Sequence, residues 1–175
     1  SQPTFSTNST TTGISGLASD DVGVVSVTWA DNHGQSGVCT GTTNWGFTAI
    51  PLSVGHNIIT VTATDTIGLT ATDTLTVIFT DNTAPTVTIA SPTTAATWTT
   101  TSPTLSIGGT ASDDVAVTGV SWSNDRGGSG ACSGTTEWTA AGINLALGQN
   151  VITVSASDSS GNRKTASLVV TRDDD

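Results

Sequence analysis

The sequence is poor in positive charge. Its 175 residues contain four lysines and arginines against 14 acidic residues, which gives a formal net charge of -10 at pH 7. Nucleic acids and anionic lipid surfaces bind proteins largely through Lys and Arg, because these side chains neutralise phosphate groups. The charge balance therefore argues against nucleic acid and against an anionic membrane surface as partners.

Charged residues of either sign are also scarce, at 10% of the chain, whereas a typical soluble domain has about 25%. The surface must then consist mainly of hydroxyl and amide groups, which favours a secreted, extracellular or cell-surface protein. No apolar run approaches the roughly 18 residues of a membrane-spanning helix, so we expect no membrane insertion. The sequence has no signal peptide and no initiator Met, and we expect a mature chain or an excised fragment.

Residue types that commonly carry catalysis are few. Glu137 is the only glutamate, although glycosidases usually place two carboxylates across the sugar. The two histidines, His33 and His56, lie in predicted loops and are not repeated elsewhere in the chain. A Ser-His-Asp site needs a positioned histidine. We therefore expect no enzymatic activity.

Cysteine and lysine are nearly absent, which limits covalent cross-links. Cys39 and Cys132 occupy equivalent positions in the two halves of the chain. In an extended tandem they would lie a domain length apart, whereas a disulfide needs Cα atoms within about 7 Å. Two alternatives stay open: buried free thiols, or a cross-link between neighbouring subunits. An isopeptide bond is excluded from the first half, which has no lysine.

The most informative positive feature is an internal repeat. Ala18–Trp29 reads ASDDVGVVSVTW, and 93 residues later Ala111–Trp122 reads ASDDVAVTGVSW. With this offset, residues 1–82 align with 94–175 without a gap, and roughly 36 of the 82 pairs are identical. A period of this length is a whole domain rather than a solenoid unit of about 20–50 residues. We predict two domains, 1–82 and 83–175.

Within each copy, apolar residues alternate with polar ones, as in Ile59–Ala63 and Ile152–Ala156. Such alternation between closely spaced turn signals is typical of an antiparallel β-sandwich. Trp122 and Trp138 are the predicted core anchors of the second copy. The second copy is predicted to contain seven strands, near 86–90, 104–112, 117–123, 130–135, 137–145, 150–158 and 164–171.

Several strings in the second copy carry a family resemblance. They are Thr83–Pro92 (TAPTVTIASP), followed by GTASDDV, GGSG, GTTEW, GQNVITV and DSSGN. In these strings the chain resembles bacterial immunoglobulin-like modules, notably those similar to domain B of glucodextranase. The resemblance implies an all-β fold of two tandem immunoglobulin-like antiparallel sandwiches. It also implies a secreted, non-catalytic role in stalks, adhesins or accessory regions of polysaccharide enzymes.

The two copies are unequal at their beginnings. The predicted opening strand, Thr86–Ala90, has no counterpart in the first copy, because Ser1 aligns with Thr94. We therefore expect the first sandwich to lack its opening strand. Either a longer array was trimmed, or subunits join head to tail and a neighbour covers the exposed strand edge. In the second case the extended segment Ser1–Thr12 could be the donated strand.

Aspartates are predicted to gather at one end of each sandwich. Several carboxylates in loops suit Ca²⁺, which takes six to eight oxygen ligands. The alternative is that short Asp side chains only stabilise turns. In a polymer, the tail Asp173–Asp175 of one subunit would reach the group in the first copy of the next. The calcium candidates are Asp81, Asp113, Asp114 and Asp158 near the second copy, and Asp20, Asp21 and Asp65 in the first.

These observations predict a non-catalytic structural subunit of a secreted bacterial fibre or surface stalk. The partner is a further copy of the chain, joined head to tail by strand addition and acidic junctions. The alternative is an accessory or carbohydrate-binding module of a polysaccharide-degrading enzyme or adhesin, with polysaccharide as its partner.

Overall fold

A computed structural model describes residues 3–174, which form an all-β protein. The chain divides into two compact units, one ending at Asp81 and the other beginning at Asn82. None of the described residues belongs to a helix that could cross a membrane.

The second unit is a sandwich of two sheets. One sheet has the strand order β13-β10-β8, and the other has the order β12-β11-β14-β15-β9. All neighbours are antiparallel except β9, which runs parallel to β15. The strands are β8 (Thr86–Ser91), β9 (Thr97–Thr100), β10 (Thr104–Ser112), β11 (Val117–Asn124), β12 (Ser129–Ala131), β13 (Glu137–Asn144), β14 (Gly148–Asp158) and β15 (Arg163–Arg172).

The first unit repeats this arrangement with one strand fewer. Its larger sheet has the order β1-β7-β6-β3-β4, but its smaller sheet contains only β2 and β5. Residues 3–81 contain no counterpart of β8, so the predicted fold class is confirmed, including the missing opening strand. The strands are β1 (Thr4–Thr7), β2 (Thr11–Leu17), β3 (Val24–Asp31), β4 (Ser36–Val38), β5 (Asn44–Pro51), β6 (Gly55–Asp65) and β7 (Thr70–Phe79).

Two sequence-based expectations about strands were wrong. The second sandwich has eight strands rather than seven, because Thr97–Thr100 pairs in parallel with β15. The extended segment 1–12 is not a free strand within its described part: Thr4–Thr7 pairs with β7, and Thr11 opens β2. Ser1 and Gln2 lie outside the described residues.

The core of the second sandwich is centred on Trp138, whose side chain is 1% exposed. Trp122 is only partly buried, although it packs against the same cluster. Of the two valines that follow the aspartates of the repeated motif, Val117 packs there but Val115 is 37% exposed. Val115 lies in the turn before β11 rather than in the strand, so the alternation of the strand does not extend to it.

A buried asparagine holds the turn before the longest hairpin in each copy. Asn150 is fully buried; its Oδ1 accepts the N–H of Ala146 at 3.0 Å, and its Nδ2 donates to the carbonyls of Ala146 and Gly148 at 2.8 and 3.0 Å. Asn57 is also fully buried and makes the same bonds around Ser53 and Gly55. The repeated Gly-x-Asn motif is therefore structural, because the amide replaces water at backbone groups that the fold buries.

We predict that Asn150→Ala lowers the free energy of unfolding by roughly 2–3 kcal/mol, because it leaves part-buried backbone groups without partners. Urea unfolding followed by tryptophan fluorescence measures the loss. Gln149→Ala, at the exposed neighbouring position, is the control and should change stability by less than about 0.5 kcal/mol. An equal, small effect of both substitutions would contradict a structural role for the motif.

Candidate functional site

Three carboxylates meet at one end of the second sandwich. They come from Asp158 at the end of β14, from Asp113 in the connection between β10 and β11, and from Asp81, which directly precedes Asn82. One oxygen of each lies within 4.8 Å of the others. Asp81 and Asp158 are buried, and Asp113 is partly exposed. Three of the four aspartates predicted here therefore come together.

Backbone hydrogen bonds hold two of these carboxylates in place. Oδ2 of Asp113 accepts the N–H groups of Val115 and Ala116 at 3.0 and 3.1 Å. Oδ1 of Asp158 accepts the N–H groups of Ser160 and Asn162, both at 2.8 Å. These bonds stabilise the turns, as the alternative interpretation predicts.

The same bonds leave one oxygen of Asp113 available to a cation, whereas Oδ2 of Asp158 accepts the side-chain amide of Asn162 at 2.8 Å. Oδ1 of Asp113 is shielded from solvent and has no hydrogen-bond partner among the described residues. Burial raises the pKa of Asp158, but hydrogen bonds from the side chain of Asn162 and from the backbone of Asn162, Ser160 and Gly161 outweigh it and lower the pKa overall. The group therefore presents anionic oxygen ligands of the kind that Ca²⁺ binds.

The fourth predicted residue, Asp114, is not part of this group. Its side chain is exposed, and Oδ2 accepts the hydroxyl of Thr83 at 3.3 Å. Adjacent aspartates in one turn point different ways, which the sequence motif could not specify.

The first sandwich has an incomplete version of the group. Asp20 and Asp65 line one small cavity of about 130 Å³, and Oδ1 of Asp65 accepts the N–H groups of Ile67 and Leu69. Asp20 and Asp21 are both exposed. Within residues 3–81 no third carboxylate completes a group of three with Asp20, Asp21 or Asp65.

The second feature of the first sandwich is an open groove beside β2. The groove has a volume of about 430 Å³, and its walls include Ile14, Trp45, Val61 and Leu75. In the second sandwich the equivalent residues are Ile107, Trp138, Val154 and Leu168, and all are buried to 3% exposure or less. In the first sandwich all four are only partly buried. The sequence predicted the missing strand, but not the groove that its absence opens.

The comparisons agree with this architecture. A family model described as a bacterial Ig domain matches residues 85–154. No curated protein matches the chain in sequence.

Three solved structures illustrate the likeness. A tetra-tandem repeat from the extending region of a large adhesion protein is 23% identical with a TM-score of 0.57, covering 94% of this chain and 46% of that one. The titin A168–A169 tandem is 12% identical with a TM-score of 0.50, covering 99% and 95%. The fibronectin(III)-like modules of Clostridium thermocellum CbhA are 19% identical with a TM-score of 0.44, covering 99% and 90%. At these identities the first two show the fold alone.

The cysteines of the two Ig-like sandwiches are free thiols. Cys39 is buried, and Cys132 is partly buried against the core. Desolvation by burial raises the pKa of both thiols. The thiolate is the reactive form, so both positions favour inert core residues over a cross-link between subunits.

We predict that both thiols react with iodoacetamide at pH 8 more slowly than the same residues in urea-unfolded chain. Burial limits access, and the raised pKa lowers the thiolate fraction. Mass spectrometry of timed alkylation at each cysteine gives the two rates. Equal rates in the folded and unfolded chain would contradict this prediction.

We also predict that Ca²⁺ raises the thermal midpoint of the second sandwich by roughly 10 °C or more, because a ligand at about 100 times its Kd adds roughly 2.7 kcal/mol and each 1 kcal/mol shifts the midpoint of a domain of this size by about 4–8 °C. Differential scanning calorimetry with calcium or with a chelator measures the difference. Unchanged melting in the chelator would contradict a calcium site.

Asp113→Asn sharpens this test, because its amide oxygen can still accept the turn hydrogen bonds. Without calcium the variant should melt at or above the temperature of the native chain, since one of three like charges is removed. With calcium it should lose most of the added stability. Asp20→Asn is the matched control in the first sandwich and should leave the calcium effect on the second domain unchanged.

Proposed function

We propose that the chain is a structural subunit of a secreted bacterial fibre or surface stalk, in which copies join head to tail. The coarser assignment, an Ig-like bacterial repeat module, rests on the family match and on the sandwich fold. The observation that carries the finer proposal is the open edge of the first sandwich. An uncovered strand edge beside an apolar groove favours pairing with another chain.

The acidic residues support the same direction of joining. In the repeat, Asp174 aligns with Asp81, the residue that joins Asp113 and Asp158 in the second sandwich. A preceding subunit could thus supply Asp174 to the equivalent pair, Asp20 and Asp65, which lack a third carboxylate among residues 3–81. Calcium would remove the repulsion between the acidic groups of two subunits.

The adhesion-protein repeat supports an extended role for such modules. That repeat comes from the extending region of a large adhesion protein, and this chain spans 46% of that structure. Since the identity is 23%, the likeness supports an extracellular spacer or stalk by analogy of fold.

We predict that the purified chain forms linear assemblies at high concentration in calcium and dissociates in a chelator. Sedimentation velocity gives the size distribution, and negative-stain electron microscopy shows whether the assemblies are linear. If the chain stays monomeric under every condition and is retained on an insoluble polysaccharide, the fibre is wrong. The binding-module alternative then explains the data.

Two variants with the same change in charge locate the joint. Asp20→Asn with Asp21→Asn removes charge from the end of the first sandwich and should abolish calcium-dependent assembly. Asp113→Asn with Asp114→Asn alters the second sandwich and should leave assembly intact. If both double variants assemble like the native chain, the acidic joint is wrong.

A further inference from the structure

The second sandwich shows what fills the groove that is open in the first. There β8 pairs antiparallel with β10, with Thr88 opposite Thr110 and Val87 opposite Ala111. The side chains of Val87 and Ile89 pack against the core cluster, while Thr86 and Thr88 stay exposed. The occupant is thus a short strand whose inward positions, two residues apart, carry β-branched apolar side chains.

The free edge of β2 offers hydrogen-bonding groups in the matching register. The N–H of Ala18 donates to the carbonyl of Thr43 on the side of β5, as the N–H of Ala111 does to Thr136 in the second sandwich. Because successive residues of a strand alternate in direction, the N–H and carbonyl of Leu17 face away from β5. They correspond to those of Thr110, which pairs with Thr88 of β8.

A glycine keeps room for the backbone of an incoming strand. A Cβ at Gly109 would collide with the carbonyl oxygen of Thr88 in β8 and with the ring of Trp138. The first sandwich has Gly16 at the equivalent position, where the three atoms nearest to an added Cβ all belong to the ring of Trp45. The space that admits the backbone of β8 is therefore present in the first sandwich as well.

The charge beside this face differs between the two sandwiches. Asp73 lines the open groove, whereas the second sandwich has Ala166 at the aligned position. The Asp73 side chain is exposed, and its Oδ1 accepts the N–H of Thr74. A carboxylate beside the groove repels an acidic strand and attracts a strand with a hydroxyl or a positive charge.

We propose that the open groove of the first sandwich binds an extended peptide strand antiparallel to β2. This strand has β-branched apolar residues two positions apart and no acidic residue. The biological role of this binding rests on the proposed function, because a strand of this kind would be the element that joins one chain to the next. Binding of the strand itself is a property of residues 3–81 and can be measured without assembly.

The test adds synthetic peptides to the full 175-residue chain at a concentration where it is monomeric. One peptide has the sequence of Thr83–Thr93, and a second has only Val87 exchanged with Thr88. The composition is unchanged, but the two β-branched apolar residues are now adjacent and face opposite sides of the strand in any register. Hydrogen exchange with mass spectrometry is expected to show about tenfold slower exchange in residues 11–18 with the first peptide only. Equal protection by both peptides, or none by either, would overturn the proposal.

Substitutions on β2 supply the matched controls. Leu17→Pro removes the outward N–H without removing a bond to β5 and should abolish peptide binding, since Pro is tolerated at a strand edge but cannot donate. Leu17→Thr keeps the N–H and introduces the residue found at Thr110, so it should bind the peptide at least as well as the native chain. Protection that persists in Leu17→Pro would place the peptide elsewhere and overturn the proposal.

Asp73→Ala tests the charge of the groove. It introduces the residue of the second sandwich and removes the carboxylate that attracts hydroxyl groups, so it should weaken binding of the hydroxyl-rich peptide severalfold, by titration calorimetry. The proposed function can fail separately. If the chain binds the peptide but never assembles, the strand-binding proposal stands and the fibre is wrong. A swapped dimer, in which a second copy lends its own β8, would show protection of residues 11–18 without peptide and would overturn the proposal of a separate strand.

Discussion

A β-sandwich is stable only where the inner face of each sheet is covered from water. In the second sandwich β8 completes this cover, and Trp138 is 1% exposed beneath it. In the first sandwich the same tryptophan, Trp45, is only partly buried because no strand of residues 3–81 takes the place of β8. Burying one large apolar side chain fully stabilises a fold by about 1.5–3 kcal/mol. The first sandwich therefore keeps its topology but lacks part of this burial free energy at several positions.

Much of the fold could be predicted from the sequence because alternation and repetition are local signals. Ile152–Ala156 indicates a strand by itself, and the 93-residue offset transfers that assignment to Ile59–Ala63. Thr97–Thr100 could not be predicted, because four residues of TWTT show no alternation and their pairing is parallel to a strand far along the chain.

The acidic group could be predicted only in part. Its members follow strand ends, so their convergence follows from sandwich topology, and Asp81, Asp113 and Asp158 do meet. The turn decides which of the adjacent residues Asp113 and Asp114 points toward the group. Asp113 accepts the N–H groups of Val115 and Ala116, and these two bonds direct its other oxygen toward the group. Asp114 instead accepts the hydroxyl of Thr83. The motif is identical in the first copy, yet no third carboxylate joins it within residues 3–81.

Comparing the two copies separates the effect of residue type on burial from the effect of the surrounding structure. Trp45 and Trp138, and Leu75 and Leu168, are identical pairs, so their intrinsic preferences cannot explain their different exposure. The difference follows from a single strand that contributes Val87, Ile89 and a backbone edge. Because the first sandwich retains the residues that this strand covers, including a glycine that a strand backbone closely approaches in the second, its inner face is built for a covered state. Among the positions that change around the groove, Leu17 for Thr110 and Asp73 for Ala166 alter which strand fits without closing the groove.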